Sequence, residues 1–205
     1  MKNIFVYFFL IIIIGLISNE ILNINQLTLN SLFERFTTEQ AQKIIDYKSQ
    51  WEYLNYFFLL LFLLLKILII ATILDLGCFI FNKKIKFKKI FNIVVKAEFI
   101  FLLVIIFKTA WFYFFQTNYT LEDLQYFYPL SAINIVGYEG IDAWWVYPLQ
   151  VLNLFELAYW LVLGYLLGKA LNSNFDKGIS IVASSYGVAL LIWVVGIMFF
   201  TLSAS

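Results

Sequence analysis

Residues Tyr53 to Phe81 read YLNYFFLLLFLLLKILIIATILDLGCFIF, an apolar run that contains the charged residues Lys66 and Asp75. A helix needs about 20 apolar residues to cross the hydrocarbon core of a bilayer, and this run is longer. Over the whole chain 63% of residues are hydrophobic and 20% are aromatic, and the mean hydropathy is +0.87. Soluble domains average about 45–50% apolar residues. The sequence therefore predicts an integral membrane protein.

Further apolar runs on both sides of this stretch predict an all-α membrane bundle of five transmembrane helices, forming a single domain over residues 1–205. The predicted spans are about 4–22, 53–81, 90–115, 146–168 and 178–202, with longer connecting segments at 23–52 and 116–145. The first span has the look of a signal peptide because Lys2 precedes it. No Ala-x-Ala cleavage site follows, so we expect an uncleaved anchor.

The distribution of basic residues predicts the orientation, because cytoplasmic flanks are enriched in lysine and arginine. One set of flanks carries Lys2, Lys83, Lys84, Lys86, Lys88, Lys89, Lys169 and Lys177. The opposite flanks carry Arg35, Lys43 and Lys48, and the segment 116–145 contains carboxylates but no basic residue. We therefore expect a cytoplasmic N-terminus and an external C-terminus. The expected location, a bacterial cytoplasmic (inner) membrane, follows from the family resemblance described below.

The loop between the second and third spans concentrates five of these lysines. They are Lys83, Lys84, Lys86, Lys88 and Lys89. Such a cluster attracts anionic lipid headgroups, at about 1 kcal/mol per basic residue near the surface. It also serves as a topology determinant without any ligand, and the sequence favours that simpler interpretation.

The two connecting segments carry helix signals of their own. Thr37 with Gln40 predicts a capping box that starts one long helix from about residue 38 to 81, and Thr120 with Asp123 predicts a short capped helix. Pro148 suits the first turn of the fourth span. Aromatic residues near these segments predict an interfacial belt, with a partner-docking surface as the alternative; they are Trp111, Tyr113, Tyr126, Trp144, Trp145 and Tyr147.

The charged residues that fall well inside the predicted spans are Lys66, Asp75, Lys96, Glu98, Lys108 and Glu156. A charge at the bilayer centre costs about 2.5–3.5 kcal/mol on insertion scales, so we expect these groups to face protein or one another. At about 1.5 Å per residue, Asp75 and Lys96 both lie roughly 10 Å from the cytoplasmic ends of their helices. The sequence therefore predicts an ion pair between them.

Glu156 interrupts the stretch LNLFELAYWLVLGYLLG, residues 152–168. The same depth argument places it at about 20 Å, with Lys66 near 24 Å and Lys108 near 28 Å. We expect Glu156 to pair with Lys66 and so to tether spans four and two, while Lys108 extends outward. The alternative is a proton or ion path that uses all three residues, although no apolar span shows the Gly-Pro break typical of transporter sites.

Small residues predict where helices pack closely. Gly164 and Gly168 form a G-x-x-x-G pair on the fourth span, and small residues recur on the fifth at Ser180, Ala183, Ser184 and Gly187. Small side chains let backbones approach in lipid, so spans four and five are expected to form a tight hairpin.

Residue usage limits the chemistry of the chain. Histidine is absent and cysteine occurs once, which excludes an internal disulfide, the usual zinc sites and histidine bases. We expect no enzyme activity, no cofactor, no metal and no nucleic-acid partner.

The leading hypothesis is a scaffold or accessory subunit of a larger envelope membrane complex, in contact with lipids and other membrane proteins. The alternative is a transporter or proton-coupled channel subunit that uses Glu156, Lys66 and Lys108.

From about Lys83 onward the chain resembles the bacterial branch of the Yip family, five-span proteins named for their interaction with Rab-type GTPases. Three stretches carry the resemblance: KKIKFKKIFNIVVKAEFIFLL at 83–103, LNLFELAYWLVLGYLLG at 152–168 and NSNFDKGISIVASSYGVALLIWVV at 172–195. Eukaryotic members have a long cytoplasmic N-terminal region for GTPase contact, which is not found before the first apolar run here. The resemblance implies a five-span fold and a non-catalytic role in organising other membrane components.

Overall fold

The computed structural model describes residues 2–204, apart from the side chain of Glu52, and this part of the chain is helical with no strand. The helices are α1 (Lys2–Ile21), α2 (Ile24–Arg35), α3 (Thr38–Gln50), α4 (Glu52–Ile80), α5 (Phe87–Glu98), α6 (Ile100–Phe114), α7 (Leu121–Tyr126), α8 (Ile133–Val136), α9 (Ala143–Val151), α10 (Leu154–Ala170), α11 (Phe175–Val182) and α12 (Val188–Ala204). A π-helical turn, Ala183–Gly187, joins α11 to α12.

Four helical units are long and apolar enough to cross a membrane: Lys2–Ile21, Tyr53–Ile80, Phe87–Phe114 and Phe175–Ala204. They match four of the predicted spans. The third unit consists of α5 and α6, which meet at Phe99, and the last consists of α11, the π-helical turn and α12. This confirms the all-helical class and a chain with four helical units that are long and apolar enough to cross a membrane.

The predicted span 146–168 is divided between α9 and α10. Leu152 and Asn153 are non-helical, and two backbone hydrogen bonds attach this break to the loop before α8: the amide of Ala132 donates to Leu152, and the amide of Leu154 donates to Leu130. The Asn153 side chain accepts from the amide of Glu156 and so begins a new helix. Pro148 lies inside α9, so its predicted place in the first turn of the span is wrong.

The connecting segments confirm both capping boxes but not the long helix. Thr37 exchanges hydrogen bonds with Gln40, and Thr120 with Asp123. The helix predicted over 38–81 is interrupted at Trp51, where the backbone leaves helical geometry (φ −111°, ψ 11°). The polar helix α3 packs against α2.

Two side-chain hydrogen bonds fix how α1 lies against α5 and α6. The hydroxyl of Tyr7 donates to Glu98, and those of Ser18 and Thr109 share a hydrogen bond of 2.7 Å. Both pairs are 91 residues apart, so the two helical units run parallel in one register. The core between them and the other long helices includes Ile67, Ala71, Leu74, Val94, Tyr159, Leu163, Leu167 and Ile181.

Helices α10 and α11 pack closely through glycines. A Cβ atom on Gly178 would clash with the backbone oxygen of Gly164 and the nitrogen of Gly168, and one on Gly168 would lie 2.6 Å from the oxygen of Asn174. The hairpin thus uses Gly164 and Gly168, but its partner surface is around Gly178. Ser180, Ala183 and Ser184 are exposed instead, because the buried face of this helical unit begins with Gly178, Ile181 and Val182. Gly187 faces the Trp160 ring.

We predict that Gly178→Ala lowers the free energy of unfolding by about 3 kcal/mol, because backbone atoms of α10 leave no room for a methyl group. Gly196→Ala is the matched control, since a Cβ atom there meets nothing within 4 Å; it should be neutral or stabilise by about 0.5–1 kcal/mol. Denaturant unfolding in detergent micelles, followed by circular dichroism, measures both. Equal stability of the two variants would contradict this account of the hairpin.

Candidate functional site

A polar cluster occupies the interior of the helix bundle, with the carboxylate of Glu98 at its centre. This side chain is fully buried, at 0% exposure. The Lys66 ammonium group donates to Oε2 at 2.8 Å, the Tyr159 hydroxyl donates to Oε1 at 3.0 Å, and the Tyr7 hydroxyl lies 3.4 Å from Oε2. One carboxylate therefore connects α1, α4, α5 and α10.

The sequence of α5 explains why Glu98 points inward. Its buried residues include Ile90, Val94 and Glu98 at intervals of four, with Ile93 and Ala97 alongside. This is the apolar stripe of an amphipathic helix. Lys88, Lys89 and Lys96 are exposed on the other side. Glu98 thus occupies a core position and is buried by the packing of its own helix.

Lys66 balances the charge of Glu98 and contacts two aromatic rings. Its ammonium nitrogen lies 4.2 Å from the centroid of the Phe101 ring and 6.0 Å from that of Tyr159. An aromatic face attracts a cation through its quadrupole. The Lys66 side chain is 41% exposed while Glu98 is 0% exposed, so the lysine reaches from the edge of the bundle to a wholly enclosed partner.

A second carboxylate, Glu156, lies in the first turn of α10. Its Oε1 accepts hydrogen bonds from the Trp160 indole at 2.9 Å and from the Tyr186 hydroxyl at 2.8 Å. The positive end of the helix dipole favours an acidic group at this position. Tyr186 belongs to the π-helical turn, so Glu156 links α10 to the last helical unit.

The two carboxylate centres are neighbours. The rings of Tyr159 and Tyr186 meet edge to face at 5.6 Å, which places the Glu98 and Glu156 partners against each other. In the part of the chain that the structure describes, every buried side-chain nitrogen or oxygen atom has a hydrogen-bond partner. The cluster is therefore saturated, and five helical units contribute to it: α1, α4, α5, α10 and the π-helical turn.

The predicted pairing of the intramembrane charges is wrong in both cases. Lys66 pairs with Glu98 rather than with Glu156. Asp75 and Lys96 do not form an ion pair, and Lys96 is exposed. Lys66 and Glu98 lie at the same depth on antiparallel helices. Moving the same number of residues toward the basic loop on each helix leads from Lys66 to Asp75 and from Glu98 to Lys89. Asp75 therefore lies level with Lys89 and not with Lys96. The depth argument failed because it assumed that both helices start at the same level.

The remaining predicted residues lie at the two ends of the bundle. Lys108 extends away from the cluster and donates a hydrogen bond to the carbonyl of Leu124 at the end of α7. Lys89 donates to the carbonyl of Ala170 at 2.9 Å and so caps the C-terminus of α10. The structure thus gives one lysine of the basic loop a structural contact. Lys84, Lys86 and Lys88 are exposed and Lys83 is partly exposed.

Outside the apolar helices, Asp123 organises the segment 116–145. Burial raises the pKa of its carboxyl, but hydrogen bonds from Thr120 and Tyr138 outweigh that effect and lower the pKa below its usual value. The same bond to Asp123, 2.8 Å long, raises the pKa of Tyr138 to about 12. At neutral pH the carboxylate is therefore charged and the phenol protonated, as the hydrogen bond requires.

Comparison of the chain with family models, with curated proteins and with solved structures found no match. The polar cluster is therefore interpreted from its own geometry.

We predict that Lys66→Met lowers the free energy of unfolding by about 3 kcal/mol, because it leaves the buried Glu98 carboxylate without its counter-charge. This is the lower end of the range for breaking a buried pair, since Lys66 is partly exposed. Lys43→Met breaks the exposed Lys43–Glu39 pair of α3 and should cost under about 1 kcal/mol. Denaturant unfolding in micelles compares the two variants.

Adding Glu98→Gln to Lys66→Met should restore part of that loss, because the buried charge is then removed. A double variant no more stable than Lys66→Met alone would show that the pair is not coupled in this way.

Proposed function

We propose that the chain is a non-catalytic membrane protein with five spans, acting as a scaffold or accessory subunit of a larger envelope complex. The observation that carries the proposal is the saturated polar cluster, to which five helical units each contribute. Its hydrogen bonds hold the bundle together internally. The outward faces of the helices are thereby left apolar and available to lipids and membrane partners.

The number of spans rests on α10, and the orientation rests on the lysines of the basic loop. At about 1.5 Å per residue, the 17 residues of α10 extend about 25 Å, and its contacts through Tyr159 and Glu156 place it beside the longer helices. We therefore count α9 and α10 together as a fifth span. The lysines of the basic loop support a cytoplasmic N-terminus and an external C-terminus. A bacterial inner membrane is what the resemblance to the bacterial branch of the Yip family implies.

The scaffold role is supported by the faces that the bundle leaves uncovered. In the apolar 18-residue window of Phe175–Ala204, only 6% is buried by the chain itself. The corresponding share for Lys2–Ile21 is 11%. Trp193, Phe199 and Phe200 are exposed on α12. Large aromatic residues are preferred at the centres of protein interfaces. A role in organising other membrane components is also what the resemblance to the Yip family implies.

Photo-crosslinking from the apolar face tests the proposal. A benzoylphenylalanine placed at Ile192, which is exposed on α12, should yield a discrete adduct with another membrane protein in native membranes. The control position is Leu163 of α10, which is fully buried and should yield none. A chain that purifies as a lone monomer in mild detergent, and gives no protein adduct from Ile192, Phe199 or Phe9, would contradict the scaffold role.

A second function, proton-linked transport, is favoured by the helix break at Leu152–Asn153. Transporter sites are typically formed by discontinuous helices with unwound backbone, and the partly buried Glu156 lies one turn beyond the break. The structure does not bring together the three residues proposed for such a path. Lys108 lies at α7, and Lys66 is held by Glu98.

The variant Glu156→Gln separates the two functions. The glutamine oxygen can still accept the hydrogen bonds from Trp160 and Tyr186, so the fold should persist while proton binding is lost. In a transporter, proton flux into vesicles reconstituted with the variant falls to the level of empty vesicles at unchanged protein yield. Equal flux in wild type and variant excludes a proton-carrying role for Glu156. Glu156→Leu removes the acceptor as well and should lower the yield.

A further inference from the structure

A groove separates α1 from α4 at the end of the bundle that faces α2 and α3. The two helices are joined where Tyr7 and Lys66 both contact Oε2 of Glu98. Beyond this junction an open groove of about 640 Å³ is lined by residues of both helices and by residues of α2, α3 and α6. Volumes of about 300–1,000 Å³ are typical of sites for small molecules.

The lining of this groove changes from apolar to polar along its length. Ile11, Leu59 and Ile105 line the part nearer the junction, and Asn25, Lys48 and Asn55 line the far part. Counted along the helices, Ile11 lies about 6 Å beyond Tyr7 and Leu59 about 10 Å beyond Lys66, whereas Asn55 lies about 16 Å beyond it. The groove therefore has an apolar floor and a rim in which polar groups are mixed with apolar residues such as Leu32 and Ile45.

The charge at the rim is positive. Among the described residues that line the groove, Lys48 is the charged one. The adjacent Ser49 adds a hydroxyl group, and Asn25 and Asn55 add amide groups. Lysine is a common phosphate ligand, and amide and hydroxyl groups add neutral hydrogen bonds. A ligand that matches both ends has a phosphate group attached to a long hydrocarbon chain.

We propose that this groove binds a glycerophospholipid, with one acyl chain between α1 and α4 and the phosphate beside Lys48. The α1 and α4 walls belong to helices of membrane-spanning length, so an acyl chain between them would lie alongside apolar membrane helices. Gly15 lines the groove, and a Cβ atom added there meets nothing within 4 Å. The α1 wall at this glycine is thus open to the space that the acyl chain fills. The site does not depend on the scaffold role or on which side of the membrane the rim faces.

Native mass spectrometry of the detergent-exchanged full chain, titrated with palmitoyl-oleoyl-phosphatidylglycerol, tests the proposal. Wild type should bind one phospholipid. Gly15→Phe fills the groove and should lower the affinity at least tenfold, whereas Gly196→Phe adds the same side chain where a Cβ atom also meets nothing and should bind as wild type does. Lys48→Gln should weaken binding about fivefold, as expected for one basic residue near an anionic headgroup.

Three further measurements complete the test. Leu59→Trp fills the groove from the α4 wall and should reproduce the effect of Gly15→Phe if that variant fails to fold. Dioleoylglycerol, which lacks the phosphate, should bind more weakly than the phospholipid and show no dependence on Lys48. A photoreactive residue at Leu16, in the groove wall, should form lipid adducts.

Several results would overturn the proposal. One is phospholipid binding by Gly15→Phe and Leu59→Trp that stays at the wild-type level. Another is a loss of binding in the Gly196→Phe control as large as that in Gly15→Phe. A third is the formation of protein adducts from Leu16 without lipid adducts. The last result would identify the groove as a site for a partner helix. Equal binding of dioleoylglycerol and phospholipid would show that the rim does not recognise phosphate.

Discussion

The Glu98 carboxylate is the interaction on which the arrangement of the other helices depends. A fully buried charge is tolerated only when it is paired and hydrogen-bonded, and Glu98 obtains its partners from three other helices. In lipid, apolar side chains do not distinguish a neighbouring helix from the surrounding acyl chains. The polar contacts therefore specify which helices meet and at what level, and the apolar core packs around that choice.

The positions of the long helices could be predicted from the sequence because hydropathy reports directly on burial in lipid. The capping boxes at Thr37 and Thr120 were equally accessible, since both depend on residues three apart. The partner of Lys66 was missed because counting from helix ends fixes depth only if helices are straight and start level. The buried stripe through Ile90 and Val94 was the better signal, because it places Glu98 on the inner face of α5.

The break in the fourth span had a local signal that hydropathy conceals. Asn153 stands three residues before Glu156, which is a helix-start pattern inside an apolar run. The pairing of the break with the loop before α8 had no such signal, because it joins backbone atoms more than twenty residues apart. The π-helical turn was also beyond sequence inference. It arises where Tyr186 reaches Glu156 and Gly187 accommodates the Trp160 ring.

The parallel register of α1 with α5 and α6 has a consequence for biosynthesis. Tyr7 leaves the ribosome 91 residues before Glu98, and Tyr159 follows Glu98 by another 61. Helix α1 therefore enters the lipid long before the Glu98 carboxylate that its Tyr7 hydroxyl contacts has been synthesised. That carboxylate in turn obtains its Tyr159 contact only after the C-terminal hairpin is made. Assembly of the complete cluster is thus deferred until α10 has been synthesised, and until then the Glu98 carboxylate lacks its Tyr159 donor.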